Sequence, residues 1–249
     1  MKESVVTELL KLRRSTSWAV VGFVPMASVL SACVFVKPES WQLLWIRSVG
    51  FYGMALLPVS LAVLSSLVWR VEHQGSNWNA LMSAPVRAWR IVVGKGAAIW
   101  LLAIVMQLVL VCSVIGAGIL VLDLSGFFPV RYLMAGLLIA ISCAPVCALQ
   151  SALSSMTRSF ALPVAVGLVL TGIGTLLLLM RVPGVWILPH AFATQATQMG
   201  AVSGGAAISF AAQEITRTSV FFTISISTII TFCLLAATSL ILERTDARI

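Results

Sequence analysis

Charge is what this sequence has least of. Only 10% of its 249 residues are Asp, Glu, Lys or Arg, against about 25% in an ordinary soluble domain. A soluble chain of this length could not cover its surface with so few charges, and a bilayer removes that requirement. Acidic groups are the scarcer kind, 8 against 16 basic. No acidic pair falls inside an apolar run, so intramembrane proteolysis and carboxylate-driven proton coupling both lack their chemistry. Histidine occurs twice, as His73 and His190, and no HExxH metal motif exists. A P-loop is missing as well: Gly94-Lys95 has Trp89 where the upstream glycine of GxxxxGK belongs. Energy for any transport must therefore come from a partner chain. The five cysteines, Cys33, Cys112, Cys143, Cys147 and Cys233, include no CxxC pair and all lie in apolar runs. They read as small apolar residues at helix contacts rather than as a metal or redox site.

What is abundant is hydrocarbon: 60% of the residues are hydrophobic, and the mean hydropathy is +1.05. Six stretches are long enough to span a bilayer, at 17–36, 48–69, 96–122, 132–157, 159–180 and 218–242. The expected fold class is an all-α membrane protein with about six transmembrane helices, forming one transmembrane domain over 1–249. The net charge of +8 sits at the ends of the apolar runs, which is the pattern of membrane orientation and not of nucleic-acid binding. With the N-terminus inside, Lys2, Lys11, Arg13, Arg14, Arg70, Arg87, Arg90, Lys95, Arg158, Arg244 and Arg248 lie on the inner side. Lys37, Arg47, Arg131, Arg181 and Arg217 lie outside, a bias of 11 against 5 among the 16. The bias places both termini in the cytoplasm. Trp18 and Trp69 then mark inner span ends and Trp41, Trp45 and Trp186 outer ones, as an aromatic belt would.

Proline recurs within the spans, as Pro25, Pro58, Pro145 and Pro163. Each interior proline frees a carbonyl that a neighbour must satisfy. Leu30-Ser31-Ala32-Cys33 looks like a lipoprotein cleavage site, but five further spans follow it and a long amphipathic lead precedes it.

Three segments lie outside the spans. Residues 2–14 form an amphipathic basic helix, with Glu8 and Lys11 paired at i, i+3 and Arg13 and Arg14 at its end. Such a helix lies in the membrane interface against anionic headgroups. Residues 70–95 form the one sizeable cytoplasmic loop. Ser76 or Asn77 can cap a short helix there, which puts Trp78, Leu81 and Met82 on one face, and Pro85 ends it. A second turn containing Trp89 leads to Lys95. The apolar face needs a cover, either a protein partner or the membrane surface, and Glu72 is free to pair with Arg87, with Arg90 or with a basic group on a partner. Residues 183–217 carry no charge from Pro189 to Gln213. They read as a re-entrant or surface helical hairpin turning at Gly204-Gly205, with a seventh span at 187–213 as the alternative.

Within the spans the polar residues are mild. Gln107 sits in the third, and Thr223, Ser227 and Thr231 line one face of the sixth at i, i+4, i+8. They serve helix packing or contact with cargo along a path.

The arrangement resembles the ABC-2 type permeases, and within them the permease subunits of lantibiotic immunity and bacitracin-type exporters. Two blocks carry the likeness: Glu8-Leu9-Leu10-Lys11-Leu12-Arg13-Arg14, and Glu72 through Lys95 with Gly75, Trp78, Leu81, Ser83-Ala84-Pro85-Val86, Arg90 and Gly94-Lys95. Leu188-Pro189 is a looser third match. The resemblance implies a bacterial cytoplasmic-membrane exporter built from two permease chains, identical or paralogous. It also implies separate ABC ATPase subunits, which hold ATP and Mg and dock on a coupling helix after span two. Glu72, Asn77, Trp78, Leu81, Met82 and Pro85 are the expected coupling residues. The permease chain itself would bind no cofactor and catalyse nothing. A non-transporting sensor or assembly subunit of a resistance complex is the rival reading.

Overall fold

The computed structural model describes residues 8, 10–12, 15–35, 37–74, 78, 86–203, 206–207 and 214–246. Among them the chain is an all-α membrane protein with six helices long and apolar enough to cross a bilayer. Residues Glu8 and Leu10–Leu12 are helical and precede α1 (Ser17–Phe35). The second span is a composite. Helix α2 (Trp41–Phe51) runs into a π-helical turn (Tyr52–Leu56) and on into α3 (Leu57–His73). Then come α4 (Ala88–Leu120), α5 (Val130–Met156) and α6 (Ala161–Leu179). A 3-10 turn (Val185–Ile187) and the short helix α7 (Pro189–Thr197) precede α8 (Arg217–Asp246).

The second span starts earlier than the apolar run alone indicates. Ser40 caps α2 by accepting from the Leu43 backbone N–H at 3.3 Å. Trp41 and Trp45 then pack inward. Trp45 is fully buried and stacked on Tyr132 at 5.2 Å, and the Trp41 indole donates to the Ser125 carbonyl at 3.2 Å. Trp69 is equally buried and donates to Ser151 Oγ at 2.9 Å. These three tryptophans are therefore core residues and not members of a belt. A carbonyl accepts from the Trp41 indole and a hydroxyl from that of Trp69, whereas the buried Trp45 Nε1 has no hydrogen-bond partner among the described residues.

Two interior prolines, Pro58 and Pro145, leave carbonyls that find donors on neighbouring helices. Pro58 offers no N–H to the carbonyls of Met54 or Gly53, four and five residues back. Thr175 Oγ1 of α6 donates to the Met54 carbonyl at 3.3 Å, and Thr194 Oγ1 of α7 donates to the Gly53 carbonyl at 2.9 Å. One residue earlier, Gln107 Nε2 of α4 donates to the Tyr52 hydroxyl at 2.9 Å. Three helices thus tether three consecutive residues of the π turn. Pro145 in α5 deprives Ile141 in the same way, and Ser227 Oγ of α8 donates to that carbonyl. Pro163 lies in the first turn of α6, where no intrahelical bond is lost.

The 183–217 segment differs from the helical hairpin that its composition suggests. Among its described residues before α8, the one α-helix is α7, seated among the π turn, α5 and α6. After it, Val202–Ser203 and Ala206–Ala207 form a two-residue antiparallel ribbon, pairing Val202 with Ala207 and Ser203 with Ala206. Helix α7 can sit this deep because its sequence is small and polar. Ala191, Ala193 and Ala196 allow close approach, while the threonines and His190 find partners. His190 bonds Gln150 of α5 at 3.0 Å. At Gly53 a side chain would have no room, since a Cβ there would collide with the Thr197 side chain.

Candidate functional site

The most unusual local chemistry lies at the end of the bundle where α3 stops and α4 starts. Helix α3 is held to α5 there by a polar seam. Ser66 and Ser154 share a hydrogen bond at 3.4 Å, Trp69 reaches Ser151, and His73 Nε2 meets the Ser154 carbonyl at 2.9 Å. On the other side of α3 sits Glu72, 4% exposed. Lys95, fully buried on the second turn of α4, places its ammonium 3.0 Å from Glu72 Oε1 and 2.8 Å from Glu8 Oε2. Lys11 closes the figure, 2.8 Å from Glu72 Oε1 and 3.1 Å from Glu8 Oε1. Two carboxylates and two ammoniums alternate in a ring with no net charge.

A buried lysine is tolerated only when its charge is matched. Lys95 has two carboxylates, and the Trp69 ring centroid lies 5.0 Å from its Nζ, adding a cation–π contact. Lys11 is the half-open member. Burial works against its charge, but the hydrogen bond to Glu72 and the negative charge of Glu8 more than offset that, so its pKa lies above the ordinary 10.5. Lys11 is consequently charged at neutral pH.

The ring joins parts of the chain far apart in sequence: the N-terminal helix, the last turn of α3 and the first turns of α4. The segment from Gln74 to Arg87 connects α3 and α4, so both ends of that loop are anchored to the N-terminal helix by one charge cluster. This corrects the expectation that Glu72 pairs with Arg87, Arg90 or a partner's basic group. Lys95 takes that role because the turn expected to carry Trp89 is instead the start of α4, which brings Lys95 back over Trp69.

Trp78 is the one described residue of the short loop helix. It is half-buried, stacked on His73 at 5.0 Å and 15°, and 6.4 Å from the Trp69 ring. It also packs on the cluster of Ala88, Val92 and Leu242. The indole therefore seats the loop on its own bundle. Asn77, Leu81, Met82, Pro85, Arg13 and Arg14 lie outside the described residues.

The expected polar stripe of the sixth span divides. Ser227 serves the Pro145-freed carbonyl of Ile141. Thr223 bonds back to the Ser219 carbonyl at 2.8 Å in its own helix. Thr231 Oγ1 is shielded and has no hydrogen-bond partner; it lines a groove of about 490 Å³ between α4, α5 and α8, with Trp100, Ala144 and Phe232. Gln107 bonds Tyr52, while its own carbonyl oxygen has no partner. Thr175 and Thr194 were not singled out by sequence. Their signal was present in Pro58, whose missing N–H leaves a carbonyl in need of a donor without naming that donor.

No curated protein matches the chain, and no solved structure does. The model of the ABC-2 family transporter proteins matches residues 4–174, a region that contains the whole charge ring and the loop it anchors. Membership implies an ABC ATPase partner and a transport role without catalysis in this chain. Since the match covers more than half of the sequence, the chain belongs to the ABC-2 family of transporter membrane proteins.

Proposed function

We propose that this chain is the membrane subunit of an ATP-driven exporter that clears an amphipathic antimicrobial peptide or a hydrophobic drug from the membrane. The observation that carries the proposal is the ring of Glu8, Lys95, Glu72 and Lys11. It fastens both ends of one loop to an N-terminal helix, as a lever needs if a force on the loop is to move two spans together. In this reading residues 76–84 dock on a separate ATPase, with Leu81 and Met82 as the anchors and Trp78 holding the loop against the bundle. ATP and Mg belong to that ATPase. A second permease chain, identical or paralogous, completes the transporter.

The basic-residue bias supports a bacterial cytoplasmic membrane with both termini inside. Single cysteines at Ser4, Ser76 or Thr245 in a cysteine-free chain should then resist impermeant thiol reagents in intact cells, while one at Ser203 labels. Labelling at Thr245 would reverse that end of the topology.

Coupling is tested by Leu81→Glu. A buried apolar anchor at an interface is worth about 2 kcal/mol or more, and a carboxylate in its place repels an apolar groove. The variant should reach the membrane at the normal level, lose the P-loop protein that co-purifies with the wild type, and lose resistance. Retention of both ATPase and resistance would favour the sensor or assembly subunit.

A further inference from the structure

A second cavity lies at the other end of the bundle, between α7 and the start of α8, with a volume of about 680 Å³. This is the size of a pocket for a drug-sized molecule. Its walls are graded. Phe192 and Met199 from the α7 side face Phe222 and Ile226 from α8, forming an apolar body. The rim is polar, with Gln195, Thr218 and Glu214.

Both sides of this cavity are held in place. Helix α7 is fixed by Thr194 on the Gly53 carbonyl and by His190 on Gln150. The start of α8 is fixed by a reciprocal cap: the Ser219 N–H donates to Thr216 Oγ1 at 3.2 Å, and the Thr216 N–H donates to Ser219 Oγ at 2.9 Å. Ser219 Oγ also donates to the Glu214 carbonyl at 3.1 Å, which sets Glu214 at the rim. Trp186 meets Phe222 edge-on at 5.4 Å, backing the aromatic wall.

Among the described residues, Glu214 is the one acidic or basic side chain that lines the cavity. Among the described residues no cation lies within ion-pair distance of it. Arg217, the nearest cation in sequence, is exposed and does not line the cavity. Phenyl faces attract cations, and a lone carboxylate at the rim selects the same sign.

We infer that this cavity binds a cationic amphiphile, with its apolar body between Phe192 and Phe222 and its positive group at Glu214. The inference rests on the exporter reading and gives the cargo a charge sign and a place. The positive end of α8 and Arg217 oppose Glu214 and the rings, and a pair of isosteric ions of opposite charge reads which sign the cavity selects.

The full-length chain in neutral-lipid nanodiscs, without nucleotide, is titrated with tetraphenylphosphonium and, separately, with tetraphenylborate, subtracting protein-free discs. The cation should bind in a saturable manner. Glu214→Gln should weaken it roughly fivefold, the scale of one partly exposed charge pair, and Phe222→Ala should weaken it as well. Tetraphenylborate should show no loss with Glu214→Gln. Equal cation affinity in the wild type and Glu214→Gln, or saturable binding of the anion alone, would overturn the proposal. Neither result depends on the ATPase, so failure here leaves the docking test under the exporter reading untouched, and the converse also holds.

Discussion

The Lys95 ammonium lies 2.8 Å from the Glu8 carboxylate, across 87 residues of chain, and neither group has water-like surroundings to fall back on. Breaking a buried pair by removing one partner costs about 3–5 kcal/mol. Lys95→Met should therefore lower the melting temperature of the detergent-extracted protein sharply, because the half-exposed Lys11 alone is left to balance two buried carboxylates. Lys11→Met should be much milder, since that side chain is 35% exposed and water can replace it. The pH dependence follows from the raised Lys11 pKa. Its contribution is complete below 10.5 and is lost only as pH climbs through the higher folded value. Equal damage from the two lysine variants would mean that burial does not set the strength of the ring.

The contact of Ser227 with the carbonyl that Pro145 frees is open to a double-mutant cycle. Ser227→Ala should cost about 0.6–2 kcal/mol, the range for hydrogen bonds between membrane helices. Pro145→Ala restores an N–H that can reach Ile141 within α5. In that background Ser227→Ala should cost almost nothing, giving a coupling of about 0.5 kcal/mol or more. Additive effects would show that Ser227 matters only through packing volume.

At the π turn, Gly53→Ala should cost about 1–3 kcal/mol, because the new methyl meets Thr197 and α7 must shift. Thr197→Ala in the same chain should recover part of the loss, as read by thermal unfolding in detergent. A neutral Gly53→Ala would place α7 elsewhere than against the π turn.

How much of this could be read from the sequence depended on the range of each interaction. The spans were legible because hydropathy over some twenty residues suffices to mark them. The Glu8–Lys11 contact was legible because it is local, one turn apart. The pairing of Glu72 with Lys95 was not, because it required knowing that α4 begins at Ala88 and so returns Lys95 to the end of α3. The tryptophans misled for a related reason: a Trp near a span end fits a belt or a core equally well, and only a tertiary acceptor such as Ser151 decides for Trp69. The prolines announced that carbonyls would be free, while the identity of the hydroxyls serving them, Thr175, Thr194 and Ser227, is a fact of helix packing. For α7, small polar composition left open whether the segment was re-entrant, on the surface or a further span.

We propose that an ATPase attaches at the anchored loop between α3 and α4. The most direct measurement is photo-crosslinking in intact cells from a photoreactive amino acid placed at Leu81 of the otherwise wild-type chain. One dominant adduct is expected, with a separate protein that carries a P-loop. That adduct should be lost in Glu72→Lys, which inverts a charge of the ring beside the loop. Adducts confined to lipid or to the permease itself, with no P-loop protein captured, would contradict it.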